Sequence, residues 1–149
     1  SDNETSLTDN SPDKEQVLAA QDAWGNGIVA IGKGAQDARE FVNKMYVAGA
    51  LFKPTMAKEQ PFRIEEDDAV SYFVGGCCAE DSGFALKPWS AVRFVNADII
   101  INGNQALAMG HYFFTNNGEE TMVEYSFGYA LVDSELKINL HHSSLPCPG

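Results

Sequence analysis

The sequence predicts an α+β domain in which N-terminal helices pack on a curved antiparallel sheet and close it into a cone with a pocket inside. Two segments with apolar residues at helical spacing open the chain. Four long β-type runs close it: "AVRFVNADIIING", "QALAMGHYFFT", "TMVEYSFGYALV" and "LKINLHHSS". The helices precede the strands as a block instead of alternating with them, which is the α+β pattern.

The first helix is expected to start at Ser11-Pro12, with Ser as the cap, Pro in the first turn and Asp13 and Glu15 at the positive end. Val17, Ala20, Trp24, Ile28 and Ile31 form its apolar face. Gly25 and Gly27 weaken it or let a neighbour pack closely, and "GKGA" ends it. A second helix carries Ala38, Phe41, Val42, Met45 and Tyr46 inward. "GALFKPT" is a short strand halted at Pro54, and "RIEEDDAVSYFVGG" a strand, an acidic cap and a short helix bearing Tyr72 and Phe73. "CCAEDSGFALKPW" is a loop. The turns "NGN", "NNGEE" and "DSE" join the final strands as hairpins. Residues 1–11 read as a disordered polar segment and 12–149 as a single domain.

Composition narrows the function. A length of 149 residues suits one domain, and 44% hydrophobic residues suffice for a core. A net charge of −11 argues against nucleic acid and anionic membranes, both of which need basic patches. No apolar run approaches the roughly 20 residues of a membrane helix. Three cysteines, Cys77, Cys78 and Cys147, give no disulfide framework and read as buried free thiols.

Alternation sets the side-chain faces. In the last strand Leu136, Ile138, Leu140, His142 and Ser144 share one face, and Lys137, Asn139, His141 and Ser143 the other. The apolar set belongs to the core, so His142 and Ser144 are expected to look into the cone. Tyr125, Phe127 and Tyr129 form the bulky face of the preceding strand. In "QALAMGHYFFT" the set with His111 and Phe113 alternates against the set with Ala106, Ala108, Tyr112 and Phe114, and pattern alone does not choose between them. His111 and Phe113 are taken as pocket-wall candidates beside Tyr125, Phe127 and Tyr129.

Neighbours on a strand cannot both ligate one ion without a bulge, and a histidine metal site needs about three convergent ligands. His141 and His142 therefore argue for no metal. No GxSxG, GxGxxG or GxxxxGK[ST] motif occurs. What remains is an aromatic pocket with a few polar groups at its mouth.

The layout from Lys14 to Pro146 resembles the nuclear transport factor 2-like superfamily. "ALFKPT", "GHYFFT" and "INLHHSSLP" resemble its calcium/calmodulin-dependent protein kinase II association-domain-like branch. "HHSSLP" is similar to the C-terminal signature of the iota-class carbonic anhydrases. Leu140 stands where that family commonly has a third histidine. The resemblance implies reversible hydration of carbon dioxide to bicarbonate, without cofactor, with His142, Ser144, Thr55 and Tyr72 as the catalytic group. Carbon dioxide and bicarbonate are then the partners, with no nucleic acid and no membrane. It also implies an algal chloroplast or a bacterial periplasm or cytoplasm, and one copy of a tandem-repeat protein. A homodimer through the convex sheet face, on which Ala, Gly and aromatics are expected, follows from the alternation. The alternatives are a non-catalytic association or small-ligand-binding module, and a cyclase or isomerase of the same fold. The latter needs an inward carboxylate, and Glu124 is expected to point out.

Overall fold

The computed structural model describes residues 11–149, so the expected disordered segment lies, but for Ser11, outside the described residues. The first helix, α1 (Lys14–Gly32), begins two residues later than expected. Its cap is Asp13, which accepts from the amide of Gln16 at 2.8 Å, while the Gln16 side chain accepts from the amide of Asp13 at 2.7 Å. This reciprocal pair satisfies two orphan amides at once and outcompetes Ser11. Helix α2 (Ala38–Met45) is capped by Asp37. A Cβ on Gly27 would lie 2.3 Å from the Phe41 ring, so the glycine is what lets the two helices close together.

Strand β1 (Tyr46–Lys53) follows α2 directly, and Tyr46 belongs to it, not to the helix. Helix α3 (Glu66–Val74) and a 3-10 turn (Phe84–Leu86) lead to β2 (Ala91–Asn102), β3 (Gln105–Asn116), β4 (Glu119–Val132) and β5 (Glu135–Ser144). The sheet order is β1-β5-β4-β3-β2. β2 to β5 form the expected meander, and β1 adds to its edge parallel to β5. Two-residue loops at Asn117-Gly118 and Asp133-Ser134, all with positive φ, make the two later hairpins.

Two bulges shape the sheet. In β2, Ala97 is skipped between the pairs Asn96–Gly110 and Asp98–Met109. In β5, Asn139 is skipped between the pairs Ile138–Tyr129 and Leu140–Gly128. Each inserts one residue, bends the strand and increases its twist. The β5 bulge also resets alternation, because an inserted residue exchanges the two faces downstream. Ile138 is buried, Leu140 is 37% exposed, and His141 and Ser143 are 2% and 1% exposed. A Cβ on Gly128 would lie 2.5 Å from Oδ1 of Asn139, so glycine makes room for the bulge.

The concave face holds the core. Ala106, Ala108, Tyr112 and Phe114 of β3 and Val123, Tyr125, Phe127 and Tyr129 of β4 are buried against Trp24 and Ile28 of α1 and Phe41 of α2. Trp24 meets Phe41, Phe94, Tyr112, Phe114 and Phe127 at centroid distances of 5.4–6.3 Å. Among the described residues no helix is long and apolar enough to cross a membrane.

Candidate active site

The bulge decides which strand-end side chains enter the cone. His141 and Ser143 point in, beside Phe127 and Tyr125, their partners on β4. His142 and Ser144 point out, and with His111 and Glu124 they line a shallow depression on the convex face. The expected inward placement of His142 and Ser144 is thus corrected by one residue. His111 and Phe113 are also corrected: Tyr112 and Phe114 are the buried set, while the Arg93 guanidinium stacks on Phe113 outside, 4.0 Å from the ring centroid. Tyr125, Phe127 and Tyr129 do face inward, and Glu124 faces out.

His141 sits in an aromatic cage. Phe52 stacks on it at 4.6 Å, and Phe127 meets it edge-on at 4.4 Å, with Trp24 at 5.6 Å. Burial, with His142 alongside, holds its imidazole well below the usual histidine pKa, so it is neutral at pH 7. Both ring nitrogens are nevertheless satisfied. Nδ1 lies 2.8 Å from the Tyr46 phenol and Nε2 3.0 Å from the Tyr112 phenol.

These contacts form one chain with a direction. Indole nitrogen can only donate, and Trp24 Nε1 donates to the Tyr46 phenol at 3.0 Å. The Tyr46 proton is then available for Nδ1 of His141, its other partner. Neutral His141 therefore carries its proton on Nε2 and donates to Tyr112. Tyr112 donates to Ser143 Oγ at 2.6 Å, and Ser143 reaches Thr55 Oγ1 at 2.5 Å. The Tyr72 phenol, on the same cavity as Thr55, accepts from the amide of Met56 at 3.2 Å. The opposite orientation would put two donors on Tyr46 oxygen and strand its own buried hydroxyl, at a cost of about 1–3 kcal/mol.

The chain surfaces in a cavity of about 360 Å³ lined by Thr55, Met56, Tyr72, Phe84, Trp89, Phe114 and Val123, with Glu80, Asp81 and Lys87 on its rim. Thr55 and Tyr72 line this one pocket, whereas His142 and Ser144, which the resemblance grouped with them, do not. Burial pushes the Tyr72 phenol up to about 12, so it remains a proton donor. A larger cavity beneath β1 and α3, lined by Val42, Tyr46 and Glu65 among others, lies at a different end.

Charged groups tie together the segments that flank the pocket. Arg63, 1% exposed, donates to both carboxylate oxygens of Asp81 at 2.8 Å and to the carbonyls of Gln60 and Asp68. Burial opposes ionised Asp81, but hydrogen bonds from Arg63 and Ser71 outweigh it and leave its pKa below the usual value. Glu80 accepts from the amides of Lys58, Glu59 and Gln60, which lowers its pKa and ties the segment after Thr55 to the segment before Phe84.

Alternation alone missed His141, Ser143, Tyr112, Tyr46 and Trp24. The one sequence signal was Gly128, a strand glycine that an unbroken hairpin register sets opposite Asn139, since glycine within a strand often marks a bulge.

A family model described as metal-independent carbonic anhydrase matches residues 15–145. A curated relative with that name, from Nostoc sp. (strain PCC 7120 / SAG 25.82 / UTEX 2576), is 39% identical over 95% of this chain and 78% of its own length. The crystal structure of a cyanobacterial iota-carbonic anhydrase complexed with bicarbonate is 36% identical, with a TM-score of 0.89 over 95% of this chain and 97% of that one. A putative calcium/calmodulin-dependent protein kinase II association domain from Xanthomonas campestris shares the fold, at 21% identity and a TM-score of 0.70 over 93% and 91% of the two chains. Nuclear transport factor 2-like proteins share it as well. With a family model spanning most of its length and a relative this similar, the chain belongs to the metal-independent carbonic anhydrase family.

Proposed function

We propose that the pocket at Thr55 and Tyr72 hydrates carbon dioxide reversibly to bicarbonate, with hydroxyl and imidazole groups in place of a metal. The observation that carries this reading is the continuous hydrogen-bonded chain from Trp24 to Thr55, which reaches the pocket at the Thr55 hydroxyl. Phe84, Trp89, Phe114 and Val123 provide an apolar wall for carbon dioxide. Thr55 and Tyr72 orient water against it and donate to the oxygens on which negative charge develops. Preorganised donors of this kind contribute several kcal/mol in a site that excludes water.

His141 acts as the fixed end of the chain. It is neutral and enclosed, so it polarises Tyr112 and, through it, Ser143, without storing the proton that water releases. That proton leaves through the pocket mouth to solvent or buffer. The test is a stopped-flow indicator assay of carbon dioxide hydration on protein stripped by a strong chelator. Activity is expected to survive and to rise with buffer concentration. Loss on chelation with recovery on adding a divalent metal would overturn the reading.

We further propose that the protein forms a homodimer through the convex face of the sheet. The side chains expected there, Ala106, Ala108, Tyr112 and Phe114, are buried in the cone. Ile100, Leu107 and Met109 take their place, 56%, 49% and 60% exposed. A second copy would cover this apolar patch. A sedimentation mass of one chain at micromolar concentration would refute it.

A further inference from the structure

The turn after α3 brings two adjacent cysteines to the same side of the backbone. Unlike neighbours on a strand, Cys77 and Cys78 have their sulfurs 3.4 Å apart. Oδ1 of Asp68, from α3, lies 3.4 Å from the Cys77 sulfur and 3.9 Å from that of Cys78. Oε1 of Gln60 lies 3.3 Å from the Cys78 sulfur. A zinc ion with bonds of about 2.3 Å to sulfur and about 2.0 Å to oxygen has tetrahedral edges of about 3.8 Å between sulfurs and about 3.5 Å between sulfur and oxygen. The observed triangle is close to one face of that tetrahedron, and Gln60, beside the Cys78 sulfur, is within reach as a further oxygen ligand.

We propose that Cys77, Cys78 and Asp68, completed by the side-chain carbonyl of Gln60, bind a thiophilic divalent cation of the zinc and cadmium type. This site is outside the reaction pocket and takes no part in carbon dioxide hydration. It is coupled to the pocket mouth structurally. The amide of Cys78 donates to Ser71 Oγ at 3.2 Å, Ser71 donates to Asp81 at 2.6 Å, and Asp81 holds Arg63. Arg63 in turn donates to the carbonyl of Asp68 at 2.9 Å. A cation joining Asp68 to Cys77 and Cys78 therefore fixes the turn on which this network is built. Gln60 adds the segment that Glu80 holds across the pocket.

Binding converts two thiols to thiolates and releases two protons to solvent as two metal–sulfur bonds form. Both thiols must lose their protons for the cation to bind. Affinity therefore increases with pH. Cys77 is exposed, so the cation has a path in.

The test is titration of the whole chain with cadmium(II) under a phosphine reductant, following the sulfur-to-cadmium charge-transfer absorption in the ultraviolet, with zinc(II) as competitor. One equivalent is expected, displaced by zinc and accompanied by a rise in melting temperature. C77S, at an exposed position that the fold does not need, and C78S should each lower the affinity at least tenfold. D68N should weaken it, and C147S should leave it unchanged. Absence of the band in the unaltered protein, or its persistence in both C77S and C78S with loss in C147S, would overturn the proposal. An unchanged affinity in D68N would do so too.

Discussion

The Tyr46 phenol lies 2.8 Å from Nδ1 of His141 and accepts from the indole of Trp24 at 3.0 Å. Because indole cannot accept, this one relationship fixes the histidine tautomer and the sense of every hydrogen bond from there to the pocket. Tyr46→Phe should therefore do more than remove one contact. It strands the Trp24 donor and frees the imidazole to flip, with an expected cost of about 1–3 kcal/mol in stability. The turnover number should fall more than KM rises, since the substrate-facing groups remain. Urea unfolding and steady-state hydration kinetics check both.

His141→Ala should lose most activity and destabilise the fold by about 2–4 kcal/mol, because it empties a fully enclosed aromatic cage. His142→Ala should change neither activity nor melting temperature appreciably, since its side chain is exposed on the convex face. Activity lost in His142→Ala and kept in His141→Ala would contradict the observed register.

Stability should fall as pH drops below about 6.5. The folded protein holds His141 well below its ordinary pKa, whereas the unfolded chain takes up a proton near 6.5. The unfolded state then binds more protons, and each pH unit lower costs about 1.4 kcal/mol until the folded pKa is reached. His141→Gln should flatten the unfolding free energy between pH 6.5 and about 5.5, above the carboxylate range. An identical slope in that variant would show that another group titrates.

Much of this was readable in the sequence. The helix block followed by hairpin-linked strands specified the α+β cone, and Thr55 and Tyr72 reach one pocket. The inward faces of β3 and of the end of β5 were not readable, for different reasons. In β3 both alternating sets contain aromatics, so hydrophobicity does not choose a face; only the pairing of Tyr112 with inward Val123 does. In β5 a period of two extended from Leu136 necessarily fails at Asn139, where the strand accommodates one extra residue.

That residue gives a prediction of its own. Gly128→Val should destabilise the protein by about 1–3 kcal/mol, because its Cβ would collide with Asn139. Deleting Asn139 should leave His141 and Ser143 facing the cone and keep activity where the chain folds, because without the extra residue Ile138, Leu140 and His141 alternate in, out and in. Thermal unfolding and hydration assays of the two variants check this.

Arg63→Met should cost about 3–5 kcal/mol, since it leaves the buried Asp81 carboxylate unpaired. Arg63→Met combined with Asp81→Leu should recover part of that loss. A double variant no more stable than the single one, by chemical denaturation, would show that the pair is not what holds the loop.

The most direct measurement is the hydration rate of Ser143→Ala against Ser144→Ala. Ser143 is the hydroxyl joining Tyr112 to Thr55, and its replacement removes one buried oxygen without a large cavity. Ser144 lies on the opposite face. The expected result is a loss of about tenfold or more in the Ser143 variant, with its circular dichroism unchanged, and full activity in the Ser144 variant. Full activity in Ser143→Ala would contradict the account.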